Sequence, residues 1–236
     1  MITKKSIDLI NTDYASGEVI LIDKEKGKSS FNIIYRIRKI INVKKVGHAG
    51  TLDPAATGLL IVCVGKETKE IYQYQDLDKI YSGTIELGKH TPSMDGETEF
   101  IEEKDYSFVS NDMIEEARKS FIGEIKQIPP MYSALKQNGK RLYKLARKGV
   151  EVERQPREIV IYDFEITKIK LPEIDFKIRC SKGTYIRVIA NDFGIKLNCG
   201  AYLKSLRREA IGEFRVENSI TVDEFREMNK ILESWL

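Results

Sequence analysis

The apolar positions of this chain fall into short runs whose periods can be read one at a time. Residues 18–23, Glu-Val-Ile-Leu-Ile-Asp, read as a strand, and Leu59 to Val64 is a wholly apolar run of buried-strand length. Between the two, Ser29 or Ser30 can cap a helix whose apolar stripe is Phe31, Ile34, Ile37 and Ile41, with Arg36, Arg38 and Lys39 off the stripe. Tyr81 to Gly88 reads as a strand closed by glycine, and Asn111 to Ile122 as an amphipathic helix through Met113, Ile114, Ala117 and Phe121. Ile174, Phe176, Ile178 and Cys180 alternate with Asp175, Lys177 and Arg179, the pattern of a half-buried strand. Val188 to Leu197 is compatible with a helix. Thr221 with Glu224 forms a capping-box pair that opens a last helix ending at Trp235 and Leu236. Strands and helices mix without a βαβ rhythm, so the expected class is α+β.

Composition narrows this picture. A chain of 236 residues, 42% hydrophobic and 32% charged, suits one compact domain or at most two small ones. No run of eighteen apolar residues predicts a membrane span, and the N-terminus has no apolar core of a secretory signal. Cys63, Cys180 and Cys199 are far apart, and with 2 histidines in the chain they speak against a zinc site. Cys63 and Cys180 fit small buried hydrophobes, and a reduced, cytoplasmic protein is expected.

Charge changes the picture more. From Lys26 to Leu52 there is no acid but there are seven bases: Lys26, Lys28, Arg36, Arg38, Lys39, Lys44 and Lys45. From Ile125 to Val150 there are again seven bases and no acid, whereas nine acids face Lys104 alone between Asp95 and Glu116. Two solvated surfaces without a partner would account for one such tract. Two tracts with Tyr35, Tyr132 and Tyr143 among them favour a phosphate backbone as partner, on a basic face opposed to an acidic one. Around Ile128-Pro-Pro-Met-Tyr-Ser, dense positive charge, a diproline and a turn at Asn138-Gly139 suggest an exposed insertion that orders on its partner, an ordinary surface hairpin being the plainer reading.

One carboxylate stands out. Asp53 lies in a segment of Gly, Ala, Thr and Pro, directly after the first basic tract and directly before the apolar run. Asp53-Pro54 is equally a helix N-cap with proline at the first helical position, and either role keeps the carboxylate ionised. Tyr185 and Arg187, two apart, would project from one face of an extended segment, able to hold an aromatic base and to pair with a carboxylate. Cross-strand packing and a surface arginine is the alternative for that pair. Tyr81 would ordinarily be core and His48 a structural histidine. There is no phosphate-binding G-x-x-x-x-G-K-[ST] loop and no G-x-G-x-x-G, which removes the common nucleotide-dependent readings.

Taken together, these residues resemble the TruB family of tRNA pseudouridine-55 synthases. The resemblance is carried by Gly47-His-Ala-Gly-Thr-Leu-Asp-Pro-Ala-Ala-Thr-Gly58, by Ile22-Asp-Lys-Glu-Lys-Gly-Lys-Ser-Ser30, by Gln127 to Arg147, by Gly183 to Gly194 and by Leu206-Arg207-Arg208. Glu25, Ala49 and Ala55 depart from the commoner Pro, Thr and Leu. The resemblance implies the pseudouridine-synthase fold, a mixed, mainly antiparallel sheet flanked by helices with a basic insertion loop. It implies residues 1–16 as an N-terminal extension, 17–236 as a single catalytic domain with an RNA-binding insertion at about 124–152, and no C-terminal PUA domain. The implied reaction isomerises a flipped-out uridine in the T-loop of tRNA, with no cofactor and no metal. Asp53 would be the nucleophile, Arg187 its pairing partner, and Tyr81 the ring stacked on the base. Tyr185, His48 and Leu206 would line the nucleotide, and Lys136, Lys140, Arg141, Lys144 and Arg147 would hold RNA. The expected partner is the T-arm of tRNA and the expected state a monomer. The alternative is a non-catalytic tRNA-binding or tRNA-folding chaperone on the same scaffold.

Overall fold

The computed structural model describes residues 1–6, 9, 12–137 and 139–233. Along the chain come β1 (Glu18–Lys24), α1 (Ser30–Ile41), β2 (Val46–His48), β3 (Thr57–Val64), α2 (Ile71–Gln75) and β4 (Lys79–Leu87). There follow β5 (Lys89–His90), β6 (Glu102–Glu103), α3 (Asn111–Lys119), β7 (Gly123–Gln127), β8 (Lys136–Gln137), β9 (Lys140–Arg141) and α4 (Leu142–Ala146). The chain closes with β10 (Arg157–Lys170), β11 (Glu173–Cys180), α5 (Ile186–Lys196), β12 (Ala201–Ile211), β13 (Phe214–Arg215) and α6 (Val222–Glu233). It divides into two compact units, one of residues 1–81 and 206–236, the other of residues 82–205.

In the first unit β1 and β3 pair antiparallel from Glu18↔Val64 to Lys24↔Gly58, β2 pairs antiparallel with β3, and β12 pairs parallel with β3 at Arg207↔Thr57 and Arg208↔Gly58. Both faces of the β1–β3 pair are covered. Ile20, Ile22, Leu60, Val62 and Val64 pack with Ile33, Ile34 and Ile37 of α1 and Phe225 of α6. Val19, Leu21, Leu59, Ile61 and Cys63 face Ile211 and Val216. A strand buried on both sides needs apolar residues at every position, which is why Leu59 to Val64 reads as a continuous run. Ser29 caps α1, its Oγ accepting from the Asn32 N–H at 3.1 Å, and Asn42 ends the helix in the left-handed conformation. The buried side of α1 is Ser30, Ile33, Ile34 and Ile37. Phe31, expected on the apolar stripe, is instead 69% exposed. The stripe is rotated toward Ile33, which an i, i+3, i+4 count from Phe31 skips. At α6 the capping box forms as expected, Thr221 N–H to Glu224 Oε2 at 2.6 Å and Glu224 N–H back to Thr221 Oγ1 at 3.1 Å. The expected end of that helix at Trp235 and Leu236 lies outside the described residues.

In the second unit the strand order is β12-β4-β11-β10-β7. β10 pairs antiparallel with β11 from Ile161↔Cys180 to Lys170↔Glu173 and with β7 along its other edge. Alternation along β11 follows from its single buried face: Ile174, Phe176, Ile178 and Cys180 are buried, Lys177 and Arg179 exposed. Phe164 meets Phe176 at a ring-centroid distance of 6.0 Å, and Phe121 meets Phe193 at 6.1 Å, so α5 is seated in an aromatic core. α3 stops at Lys119, three residues before the expected Ile122, and Phe121 leaves the helix to join this core. The result is an α+β protein with a mixed, mainly antiparallel sheet. No helix of the described residues is long and apolar enough to cross a membrane.

Candidate active site

The first unit holds Asp53, His48, Tyr81 and Leu206. Asp53 sits in the connection between β2 and β3, and that connection is fastened at four points. Ser30 Oγ accepts from the Leu52 N–H at 2.9 Å and donates to the Leu52 carbonyl at 3.0 Å. Gly27 N–H donates to the Pro54 carbonyl at 2.7 Å, and Ala56 N–H to the Asp53 carbonyl at 3.1 Å. Arg208, fully buried, donates from Nε to the Leu59 carbonyl at 2.7 Å and from Nη2 to the Gly50 carbonyl at 3.1 Å. Gly58 is the residue that lets β12 come this close: its φ is +102°, and a Cβ there would run into the Arg208 carbonyl oxygen. Asp53 therefore begins a tight turn, not a helix; the N-cap reading fails because Thr57 has already entered β3.

Sequence reasoning passed over Lys24. It is wholly buried, and its ammonium donates to the carbonyls of Glu25 at 2.9 Å, Lys28 at 2.7 Å and Pro54 at 3.4 Å. Burial pushes it down to about 8, while the negative charge of Asp53 pulls it back up. Its place in the Asp-Lys-Glu-Lys-Gly motif was the available signal. His48, at the end of β2, is half-buried with Nδ1 unpartnered. Burial, reinforced by the Arg208 guanidinium, holds its imidazole below the usual range, so it is neutral at pH 7. Tyr81 is buried in β4. Leu206 lies in β12, and its carbonyl receives the Thr57 hydroxyl at 3.5 Å.

The second unit holds Tyr185, Arg187 and the basic insertion. The expected extended segment is not there. Arg187 is the second residue of α5 and Tyr185 is its N-cap, with φ −98° and ψ 103°. Positions two apart across a helix start do not share a face, so the pair is not a single strand surface. Each has a separate anchor instead. Tyr185 is held through its backbone by Gln127, whose Oε1 accepts from the Tyr185 N–H at 2.8 Å and whose Nε2 donates to the Tyr185 carbonyl at 3.1 Å. Arg187 donates from Nη1 to Asp95 Oδ2 at 3.0 Å, both side chains almost fully buried.

Asp95 is itself fixed. Its carbonyl accepts from Thr91 Oγ1 at 2.7 Å, and its Oδ1 accepts from the Glu97 N–H at 3.0 Å. Gln127 and Asp95 were both missed from the sequence. Asp95 looked like one more member of an acidic tract; its neighbours Thr91, Ser93 and Gly96 were the only hint of a built turn.

The insertion, expected to order on a partner, has structure of its own. β8 and β9 form a hairpin, α4 follows, and the N–H groups of Leu142 and Tyr143 donate to the carbonyls of Leu135 and Ser133 at 2.8 and 3.0 Å. Pro129 and Pro130 are buried, which fastens its base. Lys136, Lys140, Arg141, Lys144 and Arg147 are all exposed, with the Arg147 guanidinium 5.6 Å from the Tyr143 ring centroid. Of the expected turn, Gly139 has φ +77°, and Asn138 lies outside the described residues. Among the described residues no group of three or more His, Cys, Asp or Glu could hold a metal ion. All three cysteines are buried, and none is paired in a disulfide.

Comparison with known proteins identifies the family. The N-terminal domain of TruB family pseudouridylate synthases matches residues 38–186. The tRNA pseudouridine synthase B of Flavobacterium johnsoniae is 46% identical over 222 residues, covering 91% of this chain and 97% of the relative. That of Chlorobaculum tepidum is 50% identical over 212 residues, 88% of each. That of Geotalea uraniireducens is 47% identical over 206 residues, and the match spans 66% of its length. Among solved structures, a chain of a Cbf5-Nop10-Gar1 complex superposes with a TM-score of 0.71 at 28% identity, covering 93% of this chain and 56% of that one. The chain belongs to the TruB family of pseudouridylate synthases.

Proposed function

We propose that this protein isomerises uridine to pseudouridine in the T-loop of tRNA, at position 55. Asp53 is the attacking carboxylate, Tyr81 the aromatic surface for the flipped base, and Arg187 the cation of the reaction. His48, Tyr185 and Leu206 line the nucleotide. The exposed bases Lys136, Lys140, Arg141, Lys144 and Arg147 bind the T-arm backbone. Carrying this reading is the loop around Asp53. Four separate backbone fastenings hold the loop that carries this single carboxylate, in a segment with few bulky side chains and beside the buried ammonium of Lys24. Fixed geometry is what an attacking group needs, since a nucleophile that must first be ordered adds that entropy to the barrier. The curated relatives, named tRNA pseudouridine synthase B, point the same way.

Base flipping carries the energetic burden, a few kcal/mol for unstacking, which interactions with the RNA backbone must offset. His48, neutral at pH 7, offers the nucleotide a flat polar edge without adding a titrating charge. The protein is read as a cytoplasmic monomer. Incubating the full chain with an unmodified tRNA transcript and mapping pseudouridine tests the proposal. The expected product is a single modification in the T-loop. An unmodified T-loop alongside tight tRNA binding would favour the chaperone reading instead.

A further inference from the structure

The outward side of α1 differs from an ordinary solvated helix face. Phe31 is 69% exposed and Tyr35, one turn further, 49%. One more turn on, Lys39 places its ammonium 4.7 Å from the Tyr35 ring centroid. Steps of four residues line these three side chains up in one row along the helix. Lys26, Lys28, Lys44 and Lys45 are exposed in the segments flanking it, and no acid interrupts the sequence from Lys26 to Leu52. Among the described residues, none of these five lysines is in an ion pair, whereas Arg36 is bound by Asp223 at 2.5 Å and Arg38 by the Val46 carbonyl at 2.8 Å. The row is also near the chemistry. Ser30, beside Phe31, makes both hydrogen bonds to Leu52, the residue before Asp53.

Single exposed hydrophobics are common on this surface, but two aromatics in register with a lysine on one helix face form a continuous stacking surface. Arg36 is neutralised by Asp223 and lies 4.0 Å from Glu25, but among the described residues the lysines along and beside the row are not in ion pairs, and their charge selects against a basic partner. Flat rings interleaved with unpaired ammonium groups match unpaired nucleotides, whose bases stack and whose phosphates attract cations. We propose that this row is an RNA-docking rail: Phe31 and Tyr35 stack on unpaired bases of the substrate RNA, and Lys26, Lys28 and Lys39 neutralise its phosphates. The inference rests on the reading of the protein as an RNA-modifying enzyme and adds a binding surface separate from the insertion.

Fluorescence anisotropy of the full chain with a T-arm stem–loop RNA, and with a fully paired duplex of equal length, tests it. Phe31→Ala/Tyr35→Ala raises Kd at least about tenfold for the stem–loop and leaves the duplex unchanged, as expected when stacking on unpaired bases is lost. Lys26→Gln/Lys28→Gln/Lys39→Gln lowers the slope of log Kd against log salt by about 2. All five side chains are exposed, so both variants fold, which circular dichroism and Tm verify. Wild-type stem–loop affinity and salt slope in both variants would overturn the rail. A wild-type chain that forms no pseudouridine while the variants lose stem–loop affinity would leave the rail standing and remove the catalytic reading.

Discussion

At the scale of single residues, the proposed site contains buried charges that are held in place. Arg187 and Asp95 form an ion pair with both side chains almost fully buried. Breaking a buried, hydrogen-bonded ion pair is strongly destabilising, so Asp95→Asn should lower stability by about 2 kcal/mol or more in urea unfolding. It should also reduce the single-turnover rate by at least about tenfold, because Arg187 loses its fixed direction. A variant with wild-type rate would show that Asp95 has no part in placing Arg187.

Lys24 gives a pH dependence whose sign can be worked out. Its native ammonium, at about 8, lies below the ordinary value of 10.5, so the unfolded chain binds more protons in that window. Folding stability from this group therefore rises with pH from about 8 to 10.5, and the penalty is fully present below about 8. The difference in unfolding free energy between wild type and Lys24→Met should change by about 2 kcal/mol between pH 8 and 10. A flat difference would mean that Lys24 titrates normally.

At the scale of elements, the β2–β3 connection is shaped by what crosses beneath it. Parallel pairing of β12 with β3 at Arg208↔Gly58 brings backbone against backbone, and only glycine fits at φ +102° there. Gly58→Ala should destabilise the protein by about 2 kcal/mol or more, through strain together with the displaced Arg208 carbonyl. It should also cut activity, since the Arg208 clamps on Gly50 and Leu59 would shift with it. Unchanged thermal unfolding would refute the close approach.

Elements differ in how legible they were. The Leu59 to Val64 run, the alternating Ile174 to Cys180 and the Thr221–Glu224 cap carry their structure in local chemistry, and each was readable. Phe31 was not, because periodicity counts apolar residues without asking which of two adjacent stripes the sheet will cover. Tyr185 and Arg187 were misjudged for a related reason. α5 is buried on nearly every side, so it lacks the polar face that marks a helix, and its start at Ile186 left no local trace. Asp53, by contrast, was legible as a lone acid among small residues, while the fastenings that hold it come from residues as far away as Arg208.

At the scale of the whole molecule, the informative quantity is the distribution of a small net charge of +3. Seven bases without an acid in each of two tracts give local potentials far stronger than the net value suggests. Binding of tRNA should therefore weaken steeply with salt. Lys136→Gln/Lys140→Gln/Arg141→Gln should lower the slope of log Kd against log salt by about 2, at roughly 0.7–0.9 for each phosphate left without its cation. A slope equal to wild type would place those side chains off the RNA. This arrangement could be foreseen from sequence, since charge runs survive any fold; the partners of Asp95 and Gln127 could not, since they come from distant segments.

The most direct test of the account is a comparison of wild type with Asp53→Asn on one tRNA transcript, reading pseudouridine under single-turnover conditions and tRNA affinity in parallel. The replacement is nearly isosteric and removes the charge and the nucleophile, so product should be undetectable while Kd stays within about twofold of wild type. Pseudouridine formed by Asp53→Asn at the wild-type rate would contradict the account.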